Sequence, residues 1–226
     1  MRYTSFLVAA VTLMSACGET TGSIFTSTNQ ARIRFVNATT DVAALTFTAN
    51  GQTVAPNVPF GAPTSCLTLN PGSATFAATA AGTTNTFGPT ITQTLETGTR
   101  ATVMAIGSSA LPQLLYFDDL SATPSAGNAR LRVINAVTGA GAADVFITAP
   151  GDPLGTPDAT SVIFGAATSF LDVASGPTLV RTTTAGTQNI TFTGSPFTLV
   201  SGQRSSFVIA PGTTLGTFRA FSVDAC

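Results

Sequence analysis

The chain has 226 residues, of which 8% are charged and 44% hydrophobic, and its formal net charge is −1. Ordinary soluble proteins carry about 25% charged residues, so this surface must depend on uncharged polar groups such as threonine hydroxyls. All nine basic residues are arginine, and the chain has no histidine. The near-neutral charge argues against a nucleic-acid partner. The lack of histidine removes the usual general base and the commonest zinc ligand.

The N-terminus predicts an export signal over residues 1–16. A short basic start precedes the apolar run Phe6–Met14, which is far below the roughly 20 residues that span a bilayer. The run ends in Leu13-Met-Ser-Ala-Cys17, which resembles the lipobox of bacterial lipoproteins, although the family usually has leucine at Met14. The resemblance implies cleavage before Cys17 and acylation of its thiol and its new amine, since several acyl chains anchor stably. A plain secretory signal with a chance cysteine is the alternative.

Residues 17–30 are small and polar and predict a flexible tether between the anchor and the folded part. Position 18 is glycine, whereas an inner-membrane retention signal would have aspartate there. We therefore expect a protein of the cell envelope, held through its lipid anchor in the outer membrane or at the cell surface and facing the periplasm or the exterior.

An internal repeat organises the rest of the chain. Val58-Pro-Phe-Gly-Ala-Pro-Thr-Ser-Cys-Leu67 returns as Val162-Ile-Phe-Gly-Ala-Ala-Thr-Ser-Phe-Leu171, a spacing of 162 − 58 = 104 residues. Ala31-Arg-Ile-Arg-Phe-Val-Asn-Ala38 likewise returns as Ala129-Arg-Leu-Arg-Val-Ile-Asn-Ala136. Internal repetition decides the architecture before any local pattern does. The chain is therefore predicted to contain two copies of one domain.

The first segment of each copy alternates apolar and charged residues. In the first copy, Ile33 and Phe35 fall on one face and Arg32 and Arg34 on the other. This period of two is typical of a strand with one buried and one solvated face.

The following segments continue the pattern of short strands. Ala44–Gly51 is matched with Asp144–Gly151 as a second strand that ends in a turn. Turn signals every 8–12 residues predict roughly seven strands per copy, and no window has a helical period. Because strands with one apolar face need a second sheet to cover them, we predict an all-β fold of two tandem β-sandwich domains, residues 31–120 and 129–226, joined by a small polar linker, 121–128.

The order of these segments resembles one known family. Both copies are similar to the bacterial domain of unknown function 4397. The similarity lies in the order Ala-Arg-Ile-Arg-Phe-Val-Asn-Ala, a Val-Phe strand, Phe-Gly and a strand that ends in Ala-Gly-Thr. Leu45-Thr-Phe-Thr fits the family's second strand less well than Asp144-Val-Phe-Ile. The resemblance implies an immunoglobulin-like sandwich on an exported or anchored protein. It implies neither catalytic residues nor a cofactor, because the family has no assigned reaction.

Two cysteines remain if Cys17 is acylated. Cys66 and Cys226 would then lie in an oxidising compartment, where a disulfide between them would close a loop of roughly 160 residues. The alternative is an unpaired Cys66, because the second copy has Phe170 at this position and a free cysteine packs well in an apolar core. The sequence leaves both alternatives open.

The four arginines of the first strands, Arg32, Arg34, Arg130 and Arg132, are candidates for a small anion-binding stripe. Charges at alternate positions more often form the solvated face of a strand, where they also discourage edge-to-edge pairing. We favour this second explanation.

The acidic residues favour neither a metal site nor catalysis. Asp118 with Asp119, and Asp152 with Asp158, carry oxygens suited to calcium but follow no calcium-loop pattern. A serine hydrolase of ordinary type would need a histidine or lysine base, and the chain has neither. Glu96 is the only glutamate beyond the tether, which disfavours a paired-carboxylate site.

We therefore expect a lipid-anchored envelope protein that is not an enzyme and serves as a binding or structural module. Its partner would be an envelope polymer or a surface protein, contacted by loops at the sandwich ends. The alternatives are an envelope carbohydrate-active enzyme that uses Asp or Glu, and a small-ligand carrier, which would need a deep apolar pocket.

Overall fold

The computed structural model describes residues 30–212, 214 and 216–226. Every helix or strand position assigned within these residues belongs to a β-strand. The predicted signal peptide and Cys17 lie outside the described residues, and Gln30 is the only described residue of the predicted tether. Within the described part, no helix is long and apolar enough to cross a membrane. The predicted all-β fold of stacked sheets is confirmed.

The first half of the molecule, residues 30–120, consists of two sheets packed face to face. Its strands are β1 (Ala31–Thr39), β2 (Ala44–Ala49), β3 (Gln52–Pro59), β4 (Leu67–Leu69), β5 (Gly72–Ala80), β6 (Ile91–Leu95), β7 (Arg100–Gly107) and β8 (Pro112–Asp118). Their order is β4-β1-β7-β8 in one sheet and β3-β2-β5-β6 in the other. Only β1 and β7 pair in parallel. The alternating apolar residues of both sheets meet in one core.

The second half, residues 121–226, repeats this strand order. Its strands are β9 (Asn128–Asn135), β10 (Ala143–Thr148), β11 (Ala159–Val162), β12 (Leu171–Ala174), β13 (Gly176–Thr184), β14 (Ile190–Thr193), β15 (Phe197–Leu199), β16 (Arg204–Pro211) and β17 (Phe218–Asp224). The orders are β12-β9-β16-β17 and β11-β10-β13-β14, with β15 added to β13. We call residues that take the same place in this order counterparts.

The second strands are offset from the match made on sequence. Leu45 lies opposite Ala80 and Ala143 lies opposite Thr184. Ala80 and Thr184 are counterparts, because each forms the same hydrogen-bonded turn with the residues that follow it. Ala143, not Val145, is therefore the counterpart of Leu45, and the sequence match is wrong by two residues. A slip of two leaves every side chain on its own face, so alternation cannot detect it.

The two halves pack against each other through the sheets that contain β1 and β9. The faces turned away from each sandwich core form a third apolar cluster, made of Val36, Ala38, Met104, Ile106, Ile134, Ala136, Val208, Ala210 and Val223. The expectation of a solvated second face on β1 is therefore wrong beyond Arg34, since every residue from Phe35 to Thr39 is buried. The adjacent apolar residues Phe35 and Val36 were the sequence signal for a strand covered on both faces.

Candidate functional site

The repeated Phe-Gly motif lies at the junction between the halves. The Phe60 ring meets Phe221 of the second half edge to face, with ring centroids 5.6 Å apart. Gly61 has a φ of +70° and lies against the Phe221 ring, so a side chain there would be strained by the backbone conformation. Its counterpart, Gly165, has a φ of +80° and lies beside Leu115 of the first half. The halves thus contact each other through equivalent surfaces, as the subunits of an isologous dimer do.

Two counterpart arginines cross this junction. Arg34 Nη1 donates a 2.6 Å hydrogen bond to the Asp224 carbonyl, and Arg132 Nη1 donates one of 2.6 Å to the Asp118 carbonyl. Each arginine therefore binds the last residue of the edge strand in the opposite half. Arg32 is exposed, as expected for the solvated face of a strand. The four arginines do not form one stripe, because two of them are used between the halves.

A buried ion pair closes one side of the junction. Arg132 Nη2 donates to Asp119 Oδ1 at 2.5 Å, and Thr102 Oγ1 donates to Asp119 Oδ2 at 2.8 Å. Arg132 also donates to Ser206 Oγ and lies over the Phe170 ring, 4.7 Å from its centroid. Arg132 is only 4% exposed and Asp119 only 2%. Burial raises the pKa of the Asp119 carboxyl and lowers the pKa of Arg132, while their pairing opposes both effects.

A disulfide between Cys66 and Cys226 closes the other side, with Cα atoms 5.7 Å apart and a sequence separation of 160. Cys66 directly precedes β4, and Cys226 follows β17, so the bond joins the first half to the end of the second. Arg34 Nη2 lies 3.2 Å from Cys66 Sγ. Of the two alternatives left open by the sequence, the structure contains the bonded one.

The linker is attached to the second half by Asp172. Ser125 Oγ donates to Asp172 Oδ2, and the Ser125 amide donates to Asp172 Oδ1. The hydrogen bond from the Ser125 side chain holds the pKa of Asp172 below its usual value. Arg130 Nε lies 3.8 Å from Asp172 Oδ1, and Arg130 Nη1 donates to the Phe170 carbonyl. Arg130 is therefore part of this attachment.

The aspartates weighed as calcium ligands take part in hydrogen bonds within the chain. Asp158 Oδ2 accepts a 2.7 Å hydrogen bond from the Ile147 amide, and the Asp152 carbonyl accepts one of 2.8 Å from Arg181 Nη2. Asp118 Oδ1 accepts from the Leu120 amide. Across residues 30–212, 214 and 216–226, no group of three or more metal-binding side chains comes together.

The second half contains a partly open apolar cavity of about 210 Å³, which the sequence reasoning missed. It lies between the two sheets, and Val133 of β9 and Val145 of β10 line it from opposite sides. Phe192, Phe218 and Ile209 contribute further apolar surface. A pocket with this kind of lining is the usual form of a small-molecule site.

The cavity exists because several lining residues are smaller than their counterparts. Val133, Ala140, Ala143 and Val145 stand where the first half has Phe35, Val42, Leu45 and Phe47. In the first half, Phe35 and Phe47 pack with ring centroids 5.2 Å apart and fill the centre of the core. Phe207 replaces Val103 in β16, but its ring stacks on Phe197, 5.1 Å away. The two-residue error in matching the second strands hid the differences at Ala143 and Val145, whereas the difference between Phe35 and Val133 was visible in the matched first strands.

The polar groups at the cavity wall are mostly bonded to each other. Thr182 Oγ1 and Thr191 Oγ1 lie 2.9 Å apart, and Asn135 Nδ2 donates to the Val162 carbonyl at 3.0 Å. No charged side chain lines the cavity among the residues that the structure describes. The interior is thus suited to uncharged groups only.

Fold and junction define the class: an all-β sandwich protein whose two halves are joined face to face by a shared apolar cluster, an ion pair and a disulfide. The chain belongs to the family described as Domain of unknown function (DUF4397), whose model matches residues 31–146. The resemblance drawn from sequence is confirmed for this range, which covers the first half, β9 and the start of β10.

A search of curated proteins finds no match. Among solved structures, the chain is similar to one described as "Alpha-glucan binding by a streptococcal virulence factor". That similarity has 8% sequence identity, covers 84% of this chain and 97% of the other, and has a TM-score of 0.27. A similarity at this TM-score carries no argument about the ligand of this chain.

Proposed function

We propose that the chain is a lipid-anchored protein of the cell envelope and acts as a non-catalytic binding or structural module. The disulfide between Cys66 and Cys226 is the observation that carries the proposal. Disulfides persist mainly in oxidising compartments outside the cytoplasm. This agrees with export through residues 1–16 and with a lipid anchor at Cys17, which would hold the protein at the outer membrane or the cell surface.

The module consists of two copies of the same domain. The strand order of both sheets is the same in the two halves. The contacts of Arg34 and Arg132 across the junction are also the same in kind and length. Both features support a duplication, after which the second copy diverged in its core and in its loops.

The engagement of the carboxylates supports a non-catalytic role. Asp41 accepts hydrogen bonds from Ser109, and Asp144 accepts from the amides of Ser161 and Gly186. These contacts, like those of the aspartates described above, hold loops in place. Acid–base hydrolysis of a glycoside would instead need two carboxylates about 5–10 Å apart across one cleft.

The loop after β10, residues 149–158, is the best candidate for contact with a partner. In the first half, the corresponding strands are joined by the tight turn at Asn50 and Gly51. The longer loop is held by Arg181 of β13, whose Nη2 donates to the carbonyls of Asp152 and Pro153. An ordered loop at the end of a sandwich is a common place for binding. An envelope polymer or a surface protein would be the partner.

Replacement of Cys17 tests the anchor. Cells that express the full chain, Cys17→Ser and Cys66→Ser are grown with an alkyne fatty acid, and the label on the purified chain is measured. We expect label on the wild type and on Cys66→Ser, the matched cysteine control, and none on Cys17→Ser. An unlabelled wild type, or a labelled Cys17→Ser chain, would refute the lipid anchor.

A further inference from the structure

We propose that the cavity between the sheets of the second half is a binding site for a small, neutral and mainly apolar molecule. This inference goes beyond the envelope role proposed above and does not depend on the anchor. It rests on the difference between the two cores, on the loop that covers the cavity and on the chemistry of the wall.

The cavity wall differs between the halves in both directions, because Ile209 and Thr182 are larger than their counterparts Ala105 and Ala78, whereas other lining residues are smaller. Four lining positions carry smaller residues than their counterparts, and they lie on β9, on β10 and on the loop between these strands. Behind them, Val180 replaces Phe76, whose ring packs against Phe35 at 5.9 Å. Loss of large side chains from a core is costly when the surroundings do not close in. The second half has small residues at several neighbouring positions around the cavity. This is expected if a ligand occupies the space.

The loop over the cavity also differs between the halves. In the first half, Thr39 Oγ1 donates to the Val42 carbonyl, and Asp41 accepts from Ser109, so this loop is tied down. The counterparts of Thr39 and Asp41 are Val137 and Gly139, which have no side-chain group for these bonds. Residues 138–142 are Thr-Gly-Ala-Gly-Ala, a short cover made almost wholly of the smallest residues. Such a cover leaves a ligand a route to the interior.

The size of the cavity limits the ligand. A dry apolar cavity of about 150 Å³ is enough to bind benzene. The cavity here, about 210 Å³, would on this scale hold roughly eight non-hydrogen atoms. A monocyclic aromatic compound or a short branched hydrocarbon chain has this size.

The chemistry of the wall limits the ligand further. An ionised group would lose its hydration without gaining a partner, because the lining described has no charged side chain. The hydroxyls of Thr182 and Thr191 bond to each other, and Thr191 Oγ1 also donates to the Thr182 carbonyl, so both hydroxyl hydrogens are used and only acceptor capacity remains. A single hydroxyl on the ligand is therefore tolerated, whereas a carboxylate is excluded.

Toluene and benzoate are matched probes for this site, because they share a ring and differ in charge. The purified full chain is heated with and without each compound, and its melting temperature is recorded. We expect toluene to raise the melting temperature of the wild type and benzoate to leave it unchanged, because a ligand that binds only the folded state stabilises it.

Val145→Phe restores the aromatic residue of the first half and should fill the cavity. We expect this variant to lose the toluene response, while Val200→Phe, the same change at an exposed position, keeps it. If Val145→Phe does not fold, Ala143→Leu, a smaller change toward the first half, should reduce the response. A wild type that does not respond to toluene, or folded filled variants that respond as the wild type does, would overturn the proposal.

Discussion

The two sides of the junction share the same arginine contacts and are completed by different chemistry. On one side Arg34 reaches the carbonyl of the opposite edge strand, and a disulfide lies next to it. On the other side Arg132 makes the same contact and is paired with Asp119, a residue whose counterpart is Ala225. The arginine contacts follow from the repeated strands. The covalent bond and the ion pair depend on residues that the repeat does not share.

The difference matters for how each side stabilises the molecule. A disulfide acts mainly by restricting the unfolded chain, whatever the folded contacts are. A buried ion pair acts only in the folded state, and the intact pair contributes little net free energy of folding. Removing one partner is costly, because the other charge is then buried without a counter-ion. The junction should therefore respond to reductant on one side and to single charge removal on the other.

The largest expected effect is on the covalent side. Cys226→Ser should lower the free energy of unfolding by about 5 kcal/mol, because the bond closes a loop of 160 residues. Chemical denaturation of the wild type with and without reductant should give the same difference. The double variant Cys66→Ser with Cys226→Ser is the control and should not respond to reductant. Equal unfolding free energies of oxidised and reduced wild type would contradict this prediction.

The next largest effect is on the ionic side. Asp119→Ala converts this position to its counterpart residue and leaves the buried Arg132 charge unpaired, so we expect a loss of about 3–5 kcal/mol. Adding Arg132→Leu should recover most of that loss, because no buried charge then remains. Urea denaturation of the three chains measures both changes. The prediction fails if the double variant is less stable than Asp119→Ala.

The smallest effect concerns an interaction present on one side only. The Arg219 guanidinium lies over the Phe60 ring, 3.4 Å from its centroid, whereas its counterpart is Gln113. Arg219→Gln should make the two sides alike and cost about 1 kcal/mol, the usual size of a cation–π contact. A double-mutant cycle with Phe60→Leu isolates the pair, and a coupling energy of zero would show that the contact contributes nothing.

Much of the fold was predictable from local pattern. The alternation of Ile33 and Phe35 with Arg32 and Arg34 identified a strand, and the repeated segments identified the family that matches residues 31–146. The pairing of the second strands was not predictable in the same way. Because side chains alternate with a period of two, only hydrogen-bonded partners distinguish one register from another two residues away.

The candidate site was even less accessible to sequence reasoning. The cavity depends on which residues face each other across two sheets, and this includes Val145 of β10 and Ile209 of β16, which are far apart in the chain. The prediction of a solvated face on β1 was wrong for a related reason. Whether Val36 meets water or another sheet depends on how the halves dock, and the strand's own alternation carries no information about that.

The sequence alone determined that the chain forms strands, that its segments repeat and that it resembles the family it belongs to, because these properties depend on neighbouring residues and their order. Tertiary structure decided the rest. It brought Cys66 to Cys226, buried Arg132 against Asp119 and left an opening in the core of the second half. Each of these depends on residues from different strands or different halves, whose contact is set by packing between sheets and between halves.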